Sequence, residues 1–413
     1  MNNLNGYQRK TIKEDVFFKI NILLLAFFLY FWYIFSLKNQ VIYLLILVFF
    51  MFLKPVFMGE VLRFKKSSYI FMLLILYLSF KLFFDEFQTN SIVYIILFSC
   101  ALFIKVFLDS SYNWEHFFLK SNLFFSSIHV FFSVIAITNK NFVINLNKIF
   151  LKGSTYWSNN GQFLRGTNPG ITGQTGQNAF FICIFLCILT TYFLFNLRKN
   201  KGKAFFQSLF ILLGFICLLT TGKRGHLLSI VLAFLVVLFL FFKKQKQYRK
   251  YFIVIVTLLL MGVIVLLNTS YFQIILLKFY SLLDSGDLTN GRLALWNYTI
   301  QLFENNPLIG TGFGSIREIF NMEAHNIYLQ ILAETGVIGF IIYIFLFISM
   351  FRESIKYYNS KNINVLISLF VQCFFLFYGL TGNPLYDSGF MLCYFVFCSL
   401  KGRGVKIYEQ GEN

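Results

Sequence analysis

Carboxylates and histidines are scarce in this chain, and their scarcity removes much of the usual enzyme chemistry. Charged residues make up 13% of the 413 positions, Asp and Glu number 17 against 36 Lys and Arg, and there are four His. No Asp-x-Asp pair is present in the polar segments, where Asp284 and Asp287 of DSGD come nearest, and no His/carboxylate group has metal-ligand spacing. This speaks against a metal-dependent transferase of nucleotide sugars, and neither a metal nor a cofactor is implied. The seven cysteines, at 100, 183, 187, 217, 373, 393 and 398, all fall inside apolar runs, so they read as small core hydrophobes and neither a disulfide framework nor a zinc site. Nucleotide loops are missing as well. Arg224 follows Lys223 where a Walker loop needs Ser or Thr, and Gly310, Gly312 and Gly314 lack both the GxGxxG spacing and a preceding strand.

What the chain has in excess is apolar surface. Hydrophobic residues reach 58%, with 58 Phe and 23 Tyr, well beyond a soluble domain. A helix crossing about 30 Å of hydrocarbon needs roughly 20 apolar residues. Such runs are centred at 16–36, 41–58, 69–84, 91–108, 117–137, 178–195, 204–220, 226–242, 251–267, 337–351, 363–380 and 388–400. They are continuous rather than alternating, which excludes a barrel. The expectation is an all-α, polytopic integral membrane protein of about 12 transmembrane helices, one membrane domain over 1–413. The first run follows Arg9, Lys10 and Lys13, resembling a signal-peptide n-region, but no small-x-small cleavage site follows, so it reads as an uncleaved anchor.

The net charge of +19 reflects topology rather than nucleic-acid binding. RFKKSS, RKNKGK, KKQKQYRK and KGRGVK all fall on one side when the runs alternate, and the basic N-terminal tail joins them. Both termini are then cytoplasmic, the acidic turn at Asp85 and Glu86 is outside, and two long polar segments, 138–177 and 268–336, are outer loops. Lys54, Lys105 and Lys120 lie near the cytoplasmic ends of their runs, where they can snorkel.

The outer segments collect the residues able to do chemistry. TTGKRGH places Lys223 and Arg224 between glycines at a helix start, a setting that suits an anion or, more blandly, an interfacial anchor. NGRLALWNYTIQLFENN opens with Arg292 and continues with amphipathic spacing at Leu295, Tyr298 or Thr299, and Leu302 until Pro307; it reads as an interfacial helix whose Arg292 faces the side of Arg224. His325 stands at the start of a helical segment in which Leu329, Leu332, Gly336 and Gly339 share its face and Glu334 is roughly opposite. A helix N-terminus favours neutral imidazole, which suits a general base. Arg165 leads a loop rich in Gly, Asn, Gln and Thr, whose amides and hydroxyls suit sugar hydroxyls, and the turn GLTGNPLYD offers Asn383 and Tyr386 to the same cavity.

In order, TTGKRG, NGRLALW, NPLIGTGFG and AHNIYLQILAETGVIG resemble the O-antigen ligase and O-antigen polymerase family of bacterial envelope proteins. The strongest likeness is His-Asn-x-x-Leu-x-x-Leu-x-Glu-x-Gly-x-x-Gly, met by His325, Asn326, Leu329, Leu332, Glu334, Gly336 and Gly339. The resemblance implies a GT-C-like membrane enzyme of the bacterial cytoplasmic membrane. It would transfer glycan from undecaprenyl diphosphate to an acceptor glycan on the outer face, with Arg224 and Arg292 on the diphosphate and His325 activating the acceptor hydroxyl. Arg165, Lys223, Asn326 and Asn383 are further candidates for substrate binding. A repeat-unit polymerase is the reading favoured, ahead of a ligase handing glycan to lipid A core or another acceptor. A transporter of lipid-linked oligosaccharide is the alternative from another class, and it would keep ionisable residues and broken helices near the bilayer midplane. The charge pattern sets a labelling prediction: Lys201→Cys should resist an impermeant thiol reagent applied from outside, whereas Ser315→Cys should react, and the reverse result would overturn the assigned sides.

Overall fold

The computed structural model describes residues 2–58, 61–83, 89–244, 280, 291–359 and 362–402. Over these residues the chain is all-α and contains no strand. Five helices, α1 (Asn2–Phe31), α2 (Leu37–Met58), α3 (Lys66–Lys81), α4 (Thr89–Ser110) and α5 (Glu115–Thr138), are followed by two short ones, α6 (Lys140–Phe150) and α7 (Gly153–Leu164). Next come α8 (Thr175–Lys199), α9 (Lys201–Thr220) and α10 (Arg224–Lys244), then α11 (Arg292–Asn305), the single-turn α12 (Ser315–Phe320), α13 (Ile327–Tyr357), α14 (Ile363–Tyr378) and α15 (Ser388–Phe397).

Seven helices, α1, α4, α5, α8, α9, α10 and α13, are long and apolar enough to cross a membrane, and α2, α14 and α15 contribute shorter apolar stretches. Every expected span that is described falls on a helix. The span at 251–267, Asp85 and Glu86, the basic residues 245–250 and the segment 268–290 with Asp284 and Asp287 lie outside the described residues. Helices apolar all round belong in the centre. Accordingly α14 is buried continuously from Val365 to Phe375 and α15 over its whole length. The phenylalanine excess is spent here: Phe180 of α8 stacks on Phe390 of α15 with centroids 3.8 Å apart, and Phe71 of α3 on Phe395 at 4.3 Å.

One end of the bundle is neutralised. Asp109 accepts from Lys105 at 2.6 Å, from Lys401 at 2.6 Å and from Lys65 at 2.9 Å, while Glu353 lies 3.5 Å from Lys401 and takes the Ser67 amide at 3.1 Å. The basic loops around Lys65 and Lys401 therefore meet at the same end. Lys105 corrects one expectation: it is fully buried in an ion pair and does not snorkel, whereas Lys120 is exposed; the Lys54 side chain lies outside the described residues. Burial dominates at Lys65, lowering its pKa to about 7 despite the attraction of Asp109.

At the opposite end α13 is broken. Gly336 has φ 64° and ψ −174°, splitting the helix into a first part ending near Thr335 and a second running to Tyr357. The polar turn after α11 fills the break. Val337 and Ile338 donate their amides to the Pro307 and Leu308 carbonyls at 2.9 and 3.3 Å, and the Ala333 and Glu334 carbonyls accept from Thr311 and Gly312 at 3.0 and 2.9 Å. Tyr77 Oη donates to the Thr335 carbonyl at 2.6 Å, and Lys81 Nζ bridges the Glu334 and Gly310 carbonyls at 3.1 and 2.8 Å. Inside hydrocarbon this accounting is compulsory, since each orphaned group costs several kcal/mol. Gly336 is thus a break in the helix, so the face expected to run on from His325 does not continue through it. A broken helix fits the transporter expectation in kind, but this one lies at the end of the bundle near the polar turns.

The break also buries Ser315, so the labelling cysteine belongs at Glu318, exposed on α12. A Cβ at Gly336 would strike the Leu308 carbonyl, and the positive φ is itself unfavourable for an L side chain. Gly336→Ala should therefore destabilise the protein by an amount on the order of 2–4 kcal/mol, seen as lower thermal stability in detergent. Wild-type stability would mean that α13 can run straight.

Candidate functional site

Four polar segments converge at the end opposite the Asp109 cluster. The turn joining α9 to α10 carries Lys223 and Arg224, both exposed, Arg224 being the first residue of α10. This turn is pinned from two sides. Asn168 in the loop after α7 donates its amide to the Thr220 carbonyl at 3.0 Å, and Gly225 packs so tightly on Thr381 that a Cβ there would collide with its side chain. Thr381 in turn accepts from Arg292 Nη1 through its carbonyl at 3.3 Å. One residue of the α14–α15 turn therefore contacts the start of α10 and the first residue of α11.

Arg292 is half-buried, and burial first, then repulsion from Arg224, lowers its pKa, with Tyr378 acting the other way. The two guanidiniums are thus within each other's field, and among the described residues neither forms an ion pair. His325 has φ 55°, a left-handed conformation uncommon outside glycine. It lies two residues ahead of α13, not on its face. The residue is exposed, yet partial desolvation of the ring, followed by the charges of Arg292 and Lys223, lowers its pKa to about 4. The imidazole is neutral at pH 7 and faces cations from α10 and α11. The structure accordingly brings Lys223, Arg224, Arg292 and His325 together.

The other candidates take different places. Asn326 caps α13, its Oδ1 accepting from the Tyr328 and Leu329 amides at 3.1 and 3.2 Å, so that oxygen is committed to the helix. Arg165 is exposed at the end of α7, and no described contact ties it to Arg224, Arg292 or His325. The amides of its loop, expected to meet sugar, largely hold the loop together. Asn147 and Asn159 both reach the Gly170 carbonyl, and Asn168 and Asn178 both reach Ser133 of α5. Asn383 is buried and donates to Gln330 Oε1 in the first part of α13.

The first part of α13 and the residues before it hold side chains to which the sequence reading gave no structural role, Glu334, Gln330 and Glu323. Buried Glu334 accepts from Gly314 N at 2.8 Å, Gln330 Nε2 at 3.0 Å and Tyr386 Oη at 2.5 Å, tying the inserted loop, the first part of α13 and the α14–α15 turn into one unit. Gln330 Nε2 also donates to Glu323 Oε2 at 2.5 Å, and Glu323 Oε1 lies 3.6 Å from Arg317 Nη1. Burial raises the pKa of Glu323, and burial together with Glu323 raises that of Asp387 to about 7. A usable signal for Glu323 existed: in a chain with 17 acidic residues, one stands two positions before His325.

No curated protein matches the chain. Residues 209–344, roughly a third of the sequence, match the family described as O-antigen ligase; this stretch includes Lys223, Arg224, Arg292, His325 and Asn326 and leaves out Arg165 and Asn383.

Proposed function

We propose that the protein is a glycosyltransferase of the bacterial cytoplasmic membrane that takes glycan from undecaprenyl diphosphate on the outer face and joins it to an acceptor sugar, as a polysaccharide repeat-unit polymerase. The observation that carries the reading is the like-charged pair: Arg224 and Arg292 are held within repulsive range, next to a neutral histidine, with no described carboxylate between them. Such an arrangement is stable when an anion occupies it, and a diphosphate matches two guanidinium forks. In the transfer, the acceptor oxygen bonds to the anomeric carbon as the bond from that carbon to phosphate breaks. The departing electron pair goes to the diphosphate oxygen beside the arginines, and the acceptor proton goes to His325. Lys223 adds charge at the same place, and apolar helices offer the polyprenyl tail a lipid-like surface.

The finer assignments belong to this reading: a GT-C-like fold of twelve spans, both termini cytoplasmic, and 138–177 and 268–336 outside. A ligase would use the same machinery with a different acceptor. Deleting the gene and resolving the glycans by gel separates them, since single-repeat products mean polymerase and full-length lipid-linked chains without transfer mean ligase.

Lysine keeps the charge but loses the planar two-donor fork, so Arg224→Lys and Arg292→Lys should both impair transfer. Full activity of both in a lipid-linked glycan assay would reduce the arginines to interfacial anchors. His325→Ala at normal expression should slow transfer by about 10²- to 10⁴-fold, and near-normal activity of His325→Gln would remove the base assignment.

A pH prediction follows from the lowered histidine. Neutral His325 predominates above its pKa of about 4, so kcat/KM should hold near neutrality and fall as pH drops through about 4. A bound diphosphate offsets the field of Arg292 and Lys223, which raises the pKa; the acid limb of kcat should therefore lie at higher pH than that of kcat/KM. Coincident limbs would place the donor away from His325.

A further inference from the structure

The diphosphate reading accounts for the cations but leaves the opposite flank of His325 unexplained. Ala324, between Glu323 and His325, is fixed on both sides: its amide donates to Gln330 Oε1 at 3.0 Å and its carbonyl accepts from Trp296 Nε1 at 2.8 Å. The separation of the two side-chain origins is thus set by a pinned stretch of two residues, at most about 7 Å, within reach of one sugar ring. Glu323 has one oxygen engaged by Gln330, whereas Oε1 is buried and accepts no hydrogen bond among the described residues, Arg317 Nη1 being 3.6 Å away. Asn383, 8% exposed, gives its Nδ2 to Gln330 and has no donor on Oδ1. Two buried acceptors without donors in one network are costly, and both ask for the same partner, a group rich in O–H or N–H donors.

We infer that Glu323 and Asn383 form the acceptor-sugar subsite, taking hydrogen bonds from hydroxyls of an uncharged sugar so that its attacking hydroxyl is held toward His325. The assignment rests on the glycosyl-transfer reading above and adds the acceptor's chemistry to it. A carboxylate at Glu323 disfavours an anionic ring, and Arg317, paired with Glu323 and lying 3.4 Å from Tyr94 Oη, has its charge already partly answered. Glu323 acts here as a positioning residue, while proton transfer stays with His325.

The test uses the full-length protein in lipid nanodiscs. Methyl glycosides serve as probes of the subsite, four neutral (glucoside, galactoside, N-acetylglucosaminide, rhamnoside) and one uronate, read by saturation-transfer NMR, and inorganic pyrophosphate probes the cation site. At least one neutral glycoside should bind in preference to the uronate. Glu323→Gln should weaken that binding by about tenfold or more and leave pyrophosphate binding unchanged, with Glu323→Asp retaining part of the affinity. If Glu323→Gln fails to fold, pyrophosphate binding disappears as well, and Asn383→Ala carries the same comparison. Absence of neutral-glycoside binding to the wild type, or binding indifferent to both substitutions, overturns the subsite. Pyrophosphate failing to bind the wild type strikes the diphosphate reading instead and leaves the glycoside result to decide this one.

Discussion

Backbone polar groups inside a hydrocarbon layer have to find partners within the protein, and the break in α13 is where that constraint shapes everything around it. Opening a helix releases carbonyls on one side and amides on the other. Here Thr311 and Gly312 supply donors, Pro307 and Leu308 supply acceptors, and Lys81 and Tyr77 reach in from α3. The turn 306–314 cannot slide relative to α13 without undoing several of these bonds together. Since α11 leads directly into that turn, Arg292 at its start is placed by the same bonds that fill the break. His325 and Glu323 precede the short helical segment that ends at the break, so they too are set by it.

The two ends of the bundle treat charge in opposite ways, and the contrast is informative. Around Asp109 three lysines meet two carboxylates at close range, which is how buried charge is made tolerable. Arg224 and Arg292 have no ion-pair partner among the described residues, and Glu323 stands two positions before His325. A chain with few acids could have paired its arginines with Glu323 or Asp387. On the proposed reading, two guanidiniums left without a carboxylate suit a site that takes an anionic donor.

Much of this was legible beforehand, for physical reasons. Runs of apolar residues have one outcome in a membrane, so the described spans were readable to within a few residues, and the amphipathic spacing marked α11, where Leu295 and Thr299 are buried while Tyr298, the alternative to Thr299, is exposed. Arg224, Arg292 and His325 were readable because ionisable residues beside apolar runs are expensive and stand out. The roles of Asn326 and the Asn-rich loop were not, since an amide suits a helix cap, a loop staple or a sugar equally, and only coordinates say which hydrogen bond forms. Lys105 misled because its partner Asp109 had not been weighed. The break was hidden for a different reason: Gly336 sits in a run whose periodicity continues on both sides, and its left-handed backbone depends on a turn more than twenty residues earlier in the chain.

That dependence has a consequence for the chemistry. On the proposed reading, a base and a cation clamp carried by separate helices would ordinarily drift relative to each other, and group transfer tolerates little drift, because a misplacement of about 1 Å can cost on the order of 10²-fold in rate. Here α10 and α11 are joined through Thr381, α11 and α13 through the filled break, and α13 and the α14–α15 turn through Glu334 and Tyr386. The closed circuit of contacts runs around His325, which itself stays exposed. Rigidity is thereby placed in the frame, while the space in front of the histidine remains open to substrates too large to be enclosed.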